Sequence, residues 1–218
     1  VTLAQTKQEQ IIRKAELADG AANIALSLGK VAMEFARVRR VPRYGDGERE
    51  SDVEHSYMLA LIAPELAVAL ELDLDPTLVG EFAKVHDLIE LKTGDINTFA
   101  ATKEQLMQKE LNEKRALHNL VDELPPYTAN LLVRYEEQRE PEARFVKAVD
   151  KILPFVVDII GKHGKHIMRE DNGVTTREEF DRCLHELQES LNERFGEEFE
   201  EIVLAHKILG ELFASQFK

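Results

Sequence analysis

The chain has 218 residues and carries 28 Lys and Arg against 41 Asp and Glu, a formal net charge of −13. A chain of this length buries roughly 70% of its unfolded surface without staples, and its one cysteine, Cys183, excludes a disulfide framework and a thiolate zinc cluster. The acidic balance argues against long nucleic acid and anionic membrane surfaces as partners, and no apolar run approaches the ~20 residues of a membrane span.

The predicted elements are all helices. Pro and Gly punctuate long segments rich in Ala, Leu, Glu and Lys, with no alternating strand pattern and no internal repeat. The pattern predicts helices over 6–37, 52–72, 76–91, 102–121, 127–138, 142–165 and 176–214, about seven in an all-α, single-domain bundle spanning 1–218. Capping boxes are read at Ser51 to Glu54, Thr102 to Gln105 and Thr175 to Glu178, and Asp75-Pro76 is an N-cap followed by proline in the first turn. Residues 38–51 form the longest internal irregular stretch, and their mixture of Arg, Gly and Pro marks a ligand-facing loop. The N-terminal segment is polar, without a signal-peptide hydrophobic stretch, so a soluble, cytoplasmic protein is expected.

Three of these helices place ionisable groups where carbon should be buried. His55, Leu59, Ile62 and Leu66 share one stripe, and Val79, Phe82, His86 and Ile89 share another. Asp150 lies inside a third stripe of Val146, Val149, Leu153, Val157 and Ile160, where an ionised carboxylate needs a partner or a metal. With Asp87 directly after His86, the chain offers two imidazoles and two carboxylates, a set suited to one divalent transition metal. Glu90, one turn after His86, and Asp95, just beyond Gly94, are left over for proton transfer or substrate contact.

The separated His55, His86-Asp87 and Asp150 resemble the HD superfamily of metal-dependent phosphohydrolases. More narrowly, VEHS at 53–56, HDLIELKTGDINT at 86–98 and VKAVDKI at 146–152 are similar to the bacterial 5′-deoxynucleotidases and their HD-domain relatives. The resemblance runs from about Arg40 to Asp150. It implies an HD-type helical bundle with His55, His86, Asp87 and Asp150 as ligands of one divalent metal, whether Co, Mn, Zn, Ni or Fe. It further implies Glu90 as a catalytic acid or base, Arg40 as the arginine that orients the phosphate, and a catalytically important Asp95. Substrate contacts are implied at Arg40, Val41, His55, Asp87, Asp95, Ile96, Asn97, Thr98 and Asp150. Val41 stands where the well-studied deoxynucleotidases place a tryptophan against the sugar, which puts a deoxy preference in question.

The activity these residues suggest is metal-assisted hydrolysis of a (deoxy)nucleoside 5′-monophosphate. The alternatives are a nucleoside triphosphohydrolase on the same metal and a non-catalytic nucleotide-binding module. A homodimer is expected on the general prevalence of two-fold assemblies. The C-terminal stretch 176–218 lies outside the resemblance, and its Phe180, Leu184, Leu187 and Leu191 stripe is expected to be core or an oligomer face.

Overall fold

The computed structural model describes residues 3–95, 101–162 and 168–215. A long helix α1 (Leu3–Phe35) leads into two short antiparallel strands, β1 (Arg39–Arg43) and β2 (Arg49–Ser51). Helices α2 (Asp52–Ala69), α3 (Pro76–Val85), α4 (Glu90–Thr93), α5 (Lys103–Glu123), α6 (Pro126–Glu137), α7 (Pro141–Asp150) and α8 (Leu153–Gly161) follow. Two further helices, α9 (Arg177–Phe195) and α10 (Glu200–Ala214), complete the described chain. No described helix is long and apolar enough to cross a membrane.

The expected all-α class holds, with the β1–β2 hairpin as a correction to the loop read at 38–51. Arg39 pairs with Ser51 and Arg43 with Arg49, with an irregular register between them. The turn is closed by Tyr44 N–H to Glu48 O at 2.9 Å and Gly47 N–H to Tyr44 O at 2.8 Å, and Gly47 takes the positive φ of +90° that the turn needs. Pro42 removes a ladder donor, which a two-stranded ribbon tolerates because each strand has a free edge. Along β1 the burial alternates, with Arg40 and Pro42 inward. Five residues with one proline carry too little alternation to read as a strand from sequence.

Three of the predicted helices are each two. Residues 86–89 close with i→i+3 bonds, such as Glu90 N–H to Asp87 O at 2.9 Å, so α3 tightens into a turn before α4. Gly94, at φ +72°, ends α4. The stretch 142–165 breaks at Lys151-Ile152 because Pro154 has no N–H for the Asp150 carbonyl and its ring would clash there. Beyond the break Leu153 and Val157 of the stripe are still buried, but Ile160 is exposed. The stretch 176–214 breaks at Gly196. The capping boxes at Ser51 and Thr102 form as read, while the third is one residue along, with Thr176 capping and Glu179 reciprocating.

Helix α2 packs on α3, and α3 packs on α6 and α7. Leu59, Ala63, Val79, Phe82, Leu132, Phe145 and Val149 form the centre of that core. A second apolar cluster unites Phe155 of α8, Met168, Val174, Phe180 of α9 and Phe213 of α10, and Leu209 packs against both.

Candidate metal centre

Three turns of backbone converge below the hairpin. The first turn of α2 delivers His55, the tightened turn after α3 delivers His86 and Asp87, and the last residue of α7 delivers Asp150. One ligand atom from each of the four lies within 4.8 Å of all the others. His55 Nε2 is 2.9 Å from Asp150 Oδ1 and 3.8 Å from Asp87 Oδ2, while His86 Nε2 is 2.9 Å from Asp87 Oδ2 and 3.7 Å from Asp150 Oδ1.

The donor set fits a divalent transition metal. His86 Nδ1–H donates to the Ala83 carbonyl at 2.9 Å, which turns Nε2 towards Asp87 and Asp150. Such a bond fixes the tautomer and ring orientation that a ligating histidine requires. Nε2 itself is buried and makes no well-formed hydrogen bond. On the other ring, His55 Nδ1 faces Glu50 Oε2 at 3.5 Å, leaving its Nε2 for the shared point.

The electrostatics describe a site waiting for positive charge. Burial opposes a charged His86 ring, but Asp87 and Asp150 overcome it and push the pKa up to about 10. His55 is also raised, with burial and Arg40 opposing and Asp150 and Glu50 prevailing. Burial works against ionised Asp87 and Asp150, yet each is held below the ordinary carboxylate range, Asp87 by His86 and Arg40, Asp150 by Lys151 and the two imidazoles. Protons on the rings balance the carboxylates here, and a bound cation would displace them.

A second acidic group adjoins this one. Asp52, Asp87 and Glu90 also bring one oxygen each within 4.8 Å of the others. Arg40, on β1 and only 9% exposed, is set among them: Nη1 is 2.8 Å from Asp87 Oδ2, 3.4 Å from Asp52 Oδ1 and 4.0 Å from Glu90 Oε2, and Nε is 3.4 Å from Glu50 Oε2. Burial and Asp87 push Glu90 up to about 10 against the pull of Lys109, whose Nζ donates to Glu90 Oε1 at 3.1 Å. Burial and Asp87 likewise raise Asp52 to about 6. Burial and the Asp87 charge thus favour the protonated form of Glu90.

The site opens into a cavity of about 320 Å³ whose wall includes Arg40, Val41, Asp95 and Asp150. Half-buried Asp95 is raised by burial first, then by Asp87, with Arg40 opposing. Glu90 does not reach the cavity wall. Ile96, Asn97 and Thr98 lie outside the described residues, so the structure brings together His55, His86, Asp87, Asp150, Arg40, Glu90, Asp95 and Val41 from the sequence-predicted set.

A family model described as HD domain matches residues 35–202. The chain belongs to the HD-domain family. A curated 5′-deoxynucleotidase HDDC2 of Xenopus laevis is 32% identical to this HD-domain chain over 144 residues, 60% of this chain and 69% of the Xenopus protein. A predicted metal-dependent phosphohydrolase from Magnetospirillum magnetotacticum MS-1 superposes with a TM-score of 0.65 at 22% identity, over 88% of this chain and 94% of that one. A conserved hypothetical protein from Pyrococcus furiosus superposes with a TM-score of 0.50 at 24% identity, over 77% of this chain and 99% of that one. At these identities the two structures speak for the HD-domain fold.

The HD-domain match extends through α9, beyond the segment whose motifs are legible in sequence. Phe180 and Leu191 of that helix are buried as core, as expected. Leu187, Ser190, Leu191, Arg194 and Phe195, however, also wall the cavity. Sequence reading also misses Glu50, Asp52 and Lys109. Glu50 and Asp52 are completely buried acids flanking a cap residue, and only the strand they belong to or abut explains their inward turn. Lys109 carries an i,i+4 partner, Glu113, which reads as an ordinary surface pair until the structure supplies Glu90.

Proposed function

We propose that this HD-domain phosphohydrolase cleaves (deoxy)nucleoside 5′-monophosphates to nucleoside and phosphate. His55, His86, Asp87 and Asp150 would hold one divalent transition metal. The observation that carries the reading is the meeting of that four-atom set with Arg40 at the mouth of a nucleotide-sized cavity. The Xenopus 5′-deoxynucleotidase supports the monophosphate class.

When bound, the metal supplies a Lewis acid for a phosphate oxygen and a water of lowered pKa. The remaining chemistry belongs to the chain. Arg40 lines the cavity and binds phosphate charge as it develops. Asp95 reaches the cavity and has a raised carboxyl, so it is placed to give a proton to the leaving 5′ oxygen. Glu90 holds its proton behind Arg40, next to Asp52, whose carboxyl is also raised. Val41, Pro154, Phe155 and Leu191 offer apolar wall to the nucleoside. With Val41 in place of an aromatic ring, ribose and deoxyribose are both accepted.

We infer one HD domain over the whole chain, supported by Leu209 packing against both apolar clusters. The reading also has the protein act in the cytoplasm as a homodimer, with Cys183 a free thiol. Exposed Ile11, Ile12, Leu17 and Ile24 along α1 support the dimer, which light scattering tests.

The deciding experiment is a screen of ribo- and deoxynucleoside mono- and triphosphates against chelated protein with Co, Mn, Zn, Ni or Fe restored singly. Free phosphate from monophosphates is expected. Release of intact triphosphate would point instead to the triphosphohydrolase, and binding without hydrolysis under every metal would point to a regulatory module.

A further inference from the structure

Lys147, Lys151 and Arg194 line the cavity, alongside the acids Glu110 and Glu113, in a chain whose net charge is −13. Lys147 and Lys151 stand one helical turn apart around Asp150, and Arg194 of α9 closes the wall. Lys151 Nζ donates to Asp150 Oδ2 at 2.6 Å. Arg194 lies over the Phe195 ring, 5.2 Å from its centroid. Among the described residues the side chains of Lys147 and Arg194 form no ion pair or hydrogen bond, although carboxylates abound on this chain.

Lys147 is the telling group. It is half-buried, burial lowers its pKa, and the charges of Lys151 and Arg194 lower it further, with Glu136 and Glu113 beyond contact range pulling the other way. Holding a sheltered ammonium beside two like charges is unfavourable unless an anion joins them. The place is fixed by the helix: Lys147 is three residues before Asp150, about 4.5 Å along the axis. A phosphate at Lys147 would therefore neighbour one held at the Asp150 end without sharing its position.

We propose that Lys147, Lys151 and Arg194 form a subsite for a second phosphate group on the nucleotide, adjacent to the phosphate held at Arg40. The inference rests on the nucleotide reading and extends its substrate class to nucleotides that carry a second phosphate. The second phosphate has two sources, the next unit of a 5′-polyphosphate chain or a 3′-phosphate on the same sugar. Both present the same dianionic, acceptor-only oxygens to two ammoniums and a guanidinium.

The test measures binding by calorimetry to the chelated 218-residue chain, so that no turnover intervenes. The probes are 2′-deoxyadenosine 5′-monophosphate, its 5′-diphosphate and its 3′,5′-bisphosphate, with the other three bases as parallel sets. At least one doubly phosphorylated probe is expected to bind about tenfold tighter than the monophosphate of the same nucleoside, the gain of one well-made charged contact. Gain with the diphosphate assigns the subsite to a 5′ chain, and gain with the bisphosphate assigns it to the sugar. In the Lys147→Gln, Arg194→Gln double variant that ratio should collapse towards one, while Lys147→Arg should retain most of it and shows that the fold survives substitution there. Equal affinities across each set, or a ratio that persists in the double variant, overturns the subsite. Hydrolysis of monophosphates with equal affinities leaves the functional reading standing alone. A ratio lost in the double variant with no hydrolysis under any metal leaves the subsite standing without that reading.

Discussion

Arg40 and Asp87, 47 residues apart in sequence, meet through one Nη1–Oδ2 hydrogen bond of 2.8 Å. The bond ties the β-hairpin to the turn that presents His86. The same nitrogen lies 3.4 Å from Asp52 and 4.0 Å from Glu90, so one guanidinium balances a buried acidic group that no other described cation reaches as centrally. Removing a buried partner strands the charges it faced, at about 3–5 kcal/mol. Arg40→Ala is therefore expected to lower the thermal midpoint sharply and to reduce phosphate release by at least about a hundredfold. Arg40→Lys keeps the charge and loses the planar fork, so it should recover much of the stability and little of the activity. An Arg40→Ala protein with an unchanged midpoint would separate the arginine from the acid cluster.

A metal held by the two imidazoles and two carboxylates, as proposed, would make the protein's stability metal-dependent. A ligand that binds only the folded state stabilises it by about 2.7 kcal/mol at a hundredfold excess over its dissociation constant. Thermal melts of chelated protein should rise on adding back the native metal, and His86→Ala should abolish the rise. His86→Ala also removes one of the two rings that balance Asp87 and Asp150. An identical melting shift in wild type and variant would place the bound ion elsewhere.

The parts of this site legible in sequence are those whose helices announce themselves. His55, His86 and Asp150 stand out because a helical period predicts burial and their chemistry forbids it unpaired. Glu50 and Asp52 do not, and Arg40 does so only through the family resemblance, because a short ribbon with a proline shows too little alternation to tell its inward face from its outward one. The single helix read over 142–165 passes over Pro154: a missing N–H four residues after Asp150 forbids one continuous helix, and that break leaves Asp150 at a helix end facing the rings. The cavity walls on α9 follow from tertiary packing alone. Leu187 and Leu191 read as core or an oligomer face, and only the path of α8 and α10 decides that a cavity lies beside them.

Gly161 is where the hairpin is held from below. A Cβ at this position would run into the Arg43 carbonyl oxygen, with the Arg43 and Tyr44 carbonyl carbons both 3.3 Å away. Backbone on both sides cannot yield as a flexible side chain would. Gly161→Ala should cost about 1–3 kcal/mol of stability, the usual range for overpacking. Because Arg40 rides on the same strand, activity should fall more steeply than stability. Circular dichroism melts and phosphate release on one preparation would show this, and equal midpoints would dismiss the contact.

Asp158 makes the wild-type fold sensitive to pH. It sits 3% exposed on α8, with Oδ1 lacking a hydrogen-bond partner. Burial raises its pKa to about 7, with the Arg43 backbone opposing and Glu50 and Asp171 adding to the rise. The folded protein therefore binds a proton that the unfolded chain has already lost between its ordinary value of 3.8 and about pH 7. Stability from this group is fully present below 3.8 and is lost as pH rises to about 7; the loss is on the order of 4 kcal/mol. Asp158→Asn keeps the shape and removes the titration. The variant should match wild type near pH 4 and exceed it at pH 8, so the gap in denaturant midpoint opens through that window. A gap independent of pH would mean that Asp158 is ionised in the fold, and that the Arg43 amide compensates its charge.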